Sequence, residues 1–86
     1  MGNLSELENL HILLSAVKKL KEQIQPAEKG EATFYWTTLK FQEAIFEITG
    51  HSFSNENITE VLIQDFFINE YIQNVGLVWL VKEIEN

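Results

Sequence analysis

The chain has 86 residues, 45% of them hydrophobic and 22% charged, with 13 acidic side chains against 6 basic ones and a formal net charge of −7. A single domain over residues 1–86 fits that length, and such a domain buries only about 60–65% of the surface its unfolded chain exposes, which leaves little core to hollow out for a large cleft. Every base is a lysine, so the composition argues against a protein that tracks phosphates with a line of cations and against an anionic membrane surface, and the lack of cysteine excludes disulfides and thiolate metal sites.

From about residue 5 to 24 the spacing predicts a helix. Ser5 followed by Glu8 has the form of a capping box. Glu6 and Glu8 lie at the positive end of the helix dipole, and Lys18, Lys19 and Lys21 at the negative end. Leu10, Leu13, Leu14, Val17, Leu20 and Ile24 share one face, and Gln25-Pro26 closes the segment.

After the polar connection PAEKGE, the stretch Ala32 to Thr38 is rich in aromatic and β-branched residues that suit a strand, while Leu39 to Thr49 has helical spacing. Phe34, Thr38, Phe41, Ile45 and Ile48 fall on one helical face and Gly50 suits a left-handed C-cap. One helix over about 32–49 is the preferred reading. A loop around Phe53 follows, and Asn57 with Glu60 resembles a second capping pattern.

Ile58 to Val75 reads as a third helix, apolar on several sides. Val61, Ile68, Tyr71, Ile72 and Val75 make one sector, Leu62 and Phe66 a second, and Ile63 and Phe67 a third. Beyond Asn74-Val75-Gly76, the residues Leu77, Leu80, Val81 and Ile84 match a helix template, yet Leu77 to Val81 is also a continuous apolar run suited to a buried strand. The expected fold is therefore all-α, a small single-domain bundle of three to four helices. The alternative is α+β: three helices with a two-stranded ribbon from about 32–38 and 77–82.

Neither His11 nor His51 has a partner at metal-ligand spacing, and the carboxylate pairs Glu43–Glu47 and Glu56–Glu60 fall on polar helix faces. Acid–base work needs a carboxylate in an apolar pocket, so no enzyme, cofactor or metal site is expected. A helix-turn-helix could be drawn over 39–49, 50–56 and 57–72. Glu56 and Glu60 at the head of its recognition helix would repel DNA.

Aromatic side chains are 12% of the chain and several are ringed by acids, the makeup of a protein-binding hot spot. The expected function is a small acidic protein-binding protein, of the inhibitor, immunity or antagonist type, acting on a partner with a basic surface. Its contact residues would be Tyr35, Trp36, Phe67 and Tyr71, steered by Glu43, Glu47, Glu56 and Glu60. The alternative is a homo-oligomeric structural or scaffold protein, a homodimer for instance, joined through the several-sided third helix and the Trp79 segment, with Phe67 and Trp79 buried between the copies. Direct nucleic-acid binding is not expected. An acidic N-terminus unlike a secretory signal, and an apolar run far short of the roughly twenty residues of a spanning helix, point to the cytoplasm and away from a membrane. Heavy use of Ile, Asn, Lys and Glu with no Arg suggests a bacterial or phage source.

Overall fold

In a computed structural model that describes residues 6–84, the chain is α+β, with three helices on one side of an antiparallel sheet. The elements run α1 (Glu6–Leu20), β1 (Ile24–Pro26), β2 (Phe34–Thr37), α2 (Thr38–Thr49), α3 (Asn55–Gln64), β3 (Ile68–Ile72) and β4 (Gly76–Glu83). The all-α bundle is thus overturned. Its α+β alternative holds, and the expected ribbon is present as β2 against β4, with Phe34 opposite Val81 and Thr37 opposite Val78. Ser5, the expected cap of α1, lies outside the described residues.

β4 organises the sheet. One flank carries β2, and the other carries β3 along Gly76–Leu80 and then β1 along Val81–Glu83. From Val78 to Val81, where it has pairs on both flanks, β4 satisfies its backbone hydrogen bonds within the sheet. Alternation then divides its side chains. Trp79 and Val81 join the core under the helices, together with Leu13, Val17, Phe41, Ile45, Ile58 and Leu62. Val78 and Leu80 point to the opposite face and are buried there as well. Burial on both sides is why the strand reads as an unbroken apolar run.

Three corrections follow from local chemistry. Thr37 N-caps α2 by accepting from the Lys40 N–H at 3.1 Å, so the aromatic residues before it are free to extend as β2. Gly50, at φ 75°, ends α2 as expected and donates its N–H to Phe46 O at 2.7 Å. The cap of α3 is Ser54 rather than Asn57, and accepts from the Asn57 N–H at 3.1 Å.

The third correction concerns the expected helix over 58–75, which stops at Gln64. Phe67 N–H bonds Leu62 O at 2.9 Å and Phe66 N–H bonds Ile63 O at 3.0 Å, the two bonds of a Schellman ending. Phe66 takes the left-handed position, φ 70°, that glycine usually fills. The chain then reverses into β3, and a turn closed by Val75 N–H on Ile72 O, with Asn74 at φ 71°, leads to β4.

Because β1 and β2 meet β4 on opposite flanks, residues 27–33 cross the sheet. They do so on the face away from the helices. Ala27 N–H bonds Leu80 O and Thr33 N–H bonds Val81 O, while Lys29 pairs with Glu70 at 3.2 Å and Glu31 with Lys82 at 3.6 Å. Glu70 and Lys82 share that face with Leu80.

Candidate interaction surface

α2, the loop at residues 50–54, α3 and the β3–β4 hairpin follow one another in the order of a helix-turn-helix backed by a hairpin wing. The loop is held from inside: Phe53 is buried and its carbonyl accepts from Gln42 Nε2 at 2.9 Å. Each helix turns a similar stripe outward. On α2 it is Leu39, Glu43 and Phe46, with Glu47 beside it, and on α3 it is Glu56, Glu60 and Ile63. The i, i+4, i+7 spacing keeps each apolar group next to a carboxylate.

The expected contact residues fall into separate groups. Trp36, Glu43 and Glu47 line one groove of about 740 Å³ with Lys19, Lys40 and Phe46. Trp36 is half-buried: its ring packs 4.9 Å from that of Phe41, and Lys40 Nζ stands 5.3 Å above it. Glu56 and Glu60 border a different depression, of about 450 Å³, with Ile63. Tyr35, opposite Leu80, points to the face away from the helices and is 53% exposed. Tyr71, opposite Leu77, points to the other face beyond the cover of the helices and is 75% exposed.

Phe67 leaves the set. It is 4% exposed and meets Phe41 edge-on at 5.4 Å, so it serves the core. Trp79 is buried likewise, and its Nε1–H donates to Thr38 Oγ1 at 3.0 Å. Neither side chain is therefore available to a self-interface, whereas Ile63 and Phe66 of the same expected helix are exposed.

Sequence reasoning also missed several exposed side chains. Leu39 and Phe46 were hidden within a helix whose apolar face was drawn through Phe41 and Ile45, and Ile63 was one of several competing sectors. Phe66, 80% exposed, is the most accessible large apolar residue among those described. Its one signal in the sequence is the Phe66-Phe67 pair, whose side chains diverge by about 100° on a helix and point to opposite faces of a strand.

Among the described residues no three His, Asp or Glu side chains gather as a metal site, and no helix is long and apolar enough to cross a membrane. His11 and His51 are both exposed, on different elements. No protein-family model, curated protein or solved structure matches the chain.

Proposed function

We propose that the protein is a small, acidic, non-enzymatic binding protein of the inhibitor or antagonist type, acting on a partner with a basic surface. The observation that carries this reading is the composition of the two outward stripes, one on α2 and one on α3. Leu39, Phe46 and Ile63 are each more than a third exposed, and Glu43, Glu47, Glu56 and Glu60 stand beside them. Apolar side chains supply contact energy once dehydrated, and the carboxylates select for cations and accelerate encounter.

The same composition argues against DNA. A recognition helix in a major groove needs donors to phosphates and bases at its N-terminal end. α3 offers Asn55, Glu56, Asn57 and Glu60 there, and the hairpin turn offers Gln73, Asn74 and Val75, with no lysine in either segment. Between Glu43 and the C-terminus Lys82 is the only base.

The test is to capture binders from the host at low salt and measure their association rates. Raising ionic strength from about 50 mM to about 500 mM should slow association at least about tenfold. The pair Glu43→Lys and Glu47→Lys should slow it similarly at low salt. A partner whose rate ignores both changes sinks the electrostatic reading.

A further inference from the structure

Three strands flank β4, and they differ in how their outer edges are protected. β1 has three residues and ends in Pro26, which carries no N–H to offer, and β2 has four residues and runs directly into α2. β3 has five residues, Ile68-Asn69-Glu70-Tyr71-Ile72, pairs with β4 alone, and contains neither lysine nor proline. Short length, proline and lysine are the usual means by which an edge resists further pairing. β3 lacks the last two, and its one charge is Glu70, which shares an exposed ion pair with Lys29 of the crossing connection.

At the start of this edge stands Phe66. A left-handed conformation costs a bulky residue on the order of 1 kcal/mol that glycine avoids. Burial does not repay that cost here, since the ring is 80% exposed. Next to it, where β1 stops and β3 begins, a crevice of about 530 Å³ lies among Ala27, Glu28, Glu31, Phe66 and Ile68. Apolar walls with Glu28 at the rim, beside a Glu31 that is paired with Lys82, suit an aliphatic side chain followed by a base.

We propose that an extended, basic segment of the partner adds to the open edge of β3, with Phe66 as the anchor at its end. This rests on the basic-partner reading above and gives that partner a contact at the sheet edge, apart from the stripes on α2 and α3. Side chains on one face of the joined strands would lie beside Ile68, Glu70 and Ile72 in turn, so the segment should read aliphatic, any residue, Lys or Arg, any residue, aliphatic. A second copy of this chain is the poorer occupant. Two bodies of net charge −7 repel each other, and antiparallel pairing centred on Glu70 would crowd two Glu70–Lys29 ion pairs together without adding a cation for either carboxylate.

The probe is a synthetic decapeptide containing Ile-Thr-Lys-Thr-Ile. Its comparators are a scramble, a version with Glu for Lys, and a version N-methylated on the amides that would face β3. Binding is read by titration and by amide hydrogen exchange. The proposal expects slowed exchange at residues 68–72 with the parent peptide alone, and at least about tenfold weaker binding of each comparator. Phe66→Gly should weaken the parent peptide about tenfold while the unfolding temperature holds or rises, which separates anchoring from folding.

Equal binding of the scramble or the methylated peptide overturns strand addition. If the lysine peptide binds but protects α2 and α3 instead, strand addition fails and the basic-partner reading stands. Indifference to exchanging Lys for Glu removes both. Protection of 68–72 without peptide, together with a dimer mass in solution, overturns the proposal in favour of self-pairing.

Discussion

On the helix side of the sheet, Trp79 and Val81 lie beneath three helices, among rings and aliphatic chains drawn from every element of that layer. On the other side, Val78 and Leu80 are covered by cross-strand neighbours and by the 27–33 connection, held with two exposed ion pairs. Both pairs of side chains are withdrawn from water, with Trp79 at 0% and Leu80 at 1% exposure. Accessible area alone would rank them equal. They differ in what surrounds them: a layer of regular structure on one side, a loop and half-exposed side chains on the other. A buried position is costly to empty when its neighbours are locked, and less so when they can settle into the gap.

Trp79→Ala should have the largest effect. It deletes a fully buried ring that meets Phe41 edge-on at 6.5 Å, and it leaves Thr38 Oγ1 without its donor. Loss of about 3–5 kcal/mol is expected, against a total of about 5–15 kcal/mol for a domain. Urea denaturation would measure it. A loss under about 2 kcal/mol would mean that the helix layer closes over the cavity, and the contrast between the two faces would fail.

Leu80→Ala should cost less, about 2–3 kcal/mol, because Tyr35 and Ile68 stand directly opposite and are only half covered. They and the crossing connection can move inward. The informative quantity is the difference between the two variants in one denaturant series. A Leu80→Ala loss equal to that of Trp79→Ala would show that the outer cover is as rigid as the helices.

The same difference between faces decides which parts of the fold the sequence discloses. α1 is plain because one side of it meets the core and the other meets water, so its apolar residues recur at helical spacing. β4 has no such alternation, since Val78 to Val81 are buried on both faces, and the fit of Leu77, Leu80, Val81 and Ile84 to a helix template is coincidence. β3 was absorbed into a long helix for a different reason. The usual sign of a helix end is glycine, and here Phe66 occupies that position. β1 is hidden because Pro26 reads as a helix stop, although an edge strand tolerates proline at its end.

The candidate surface was legible in chemistry and not in arrangement. Glu43, Glu47, Glu56 and Glu60 are exposed as their polar spacing implied, because nothing about a helix surface depends on distant pairing. Phe67 and Tyr71 are one turn apart only if the segment is a helix. In the fold Phe67 enters the core from the bend after α3, whereas Tyr71 lies four residues along in β3.

The smallest expected effect is at the ion pairs over the outer face. Lys29 is 84% exposed and Glu70 32%; Lys82 is 36% exposed and Glu31 53%. Pairs so open to solvent contribute about 0–1 kcal/mol each, and near 1 M salt screens them almost completely. Replacing both lysines with glutamine also takes the net charge from −7 to −9, since two positive charges are removed, and adds to repulsion across the molecule. Both consequences are electrostatic, so both should fade together. The double variant Lys29→Gln, Lys82→Gln should melt slightly lower than the parent at low salt and together with it at about 1 M, whereas the Trp79→Ala deficit should persist at either. A deficit in the lysine variant that survives high salt would mean that the aliphatic stems of Lys29 and Lys82, rather than their charges, hold the connection over Leu80. The outer face would then be closed by packing, as the inner one is.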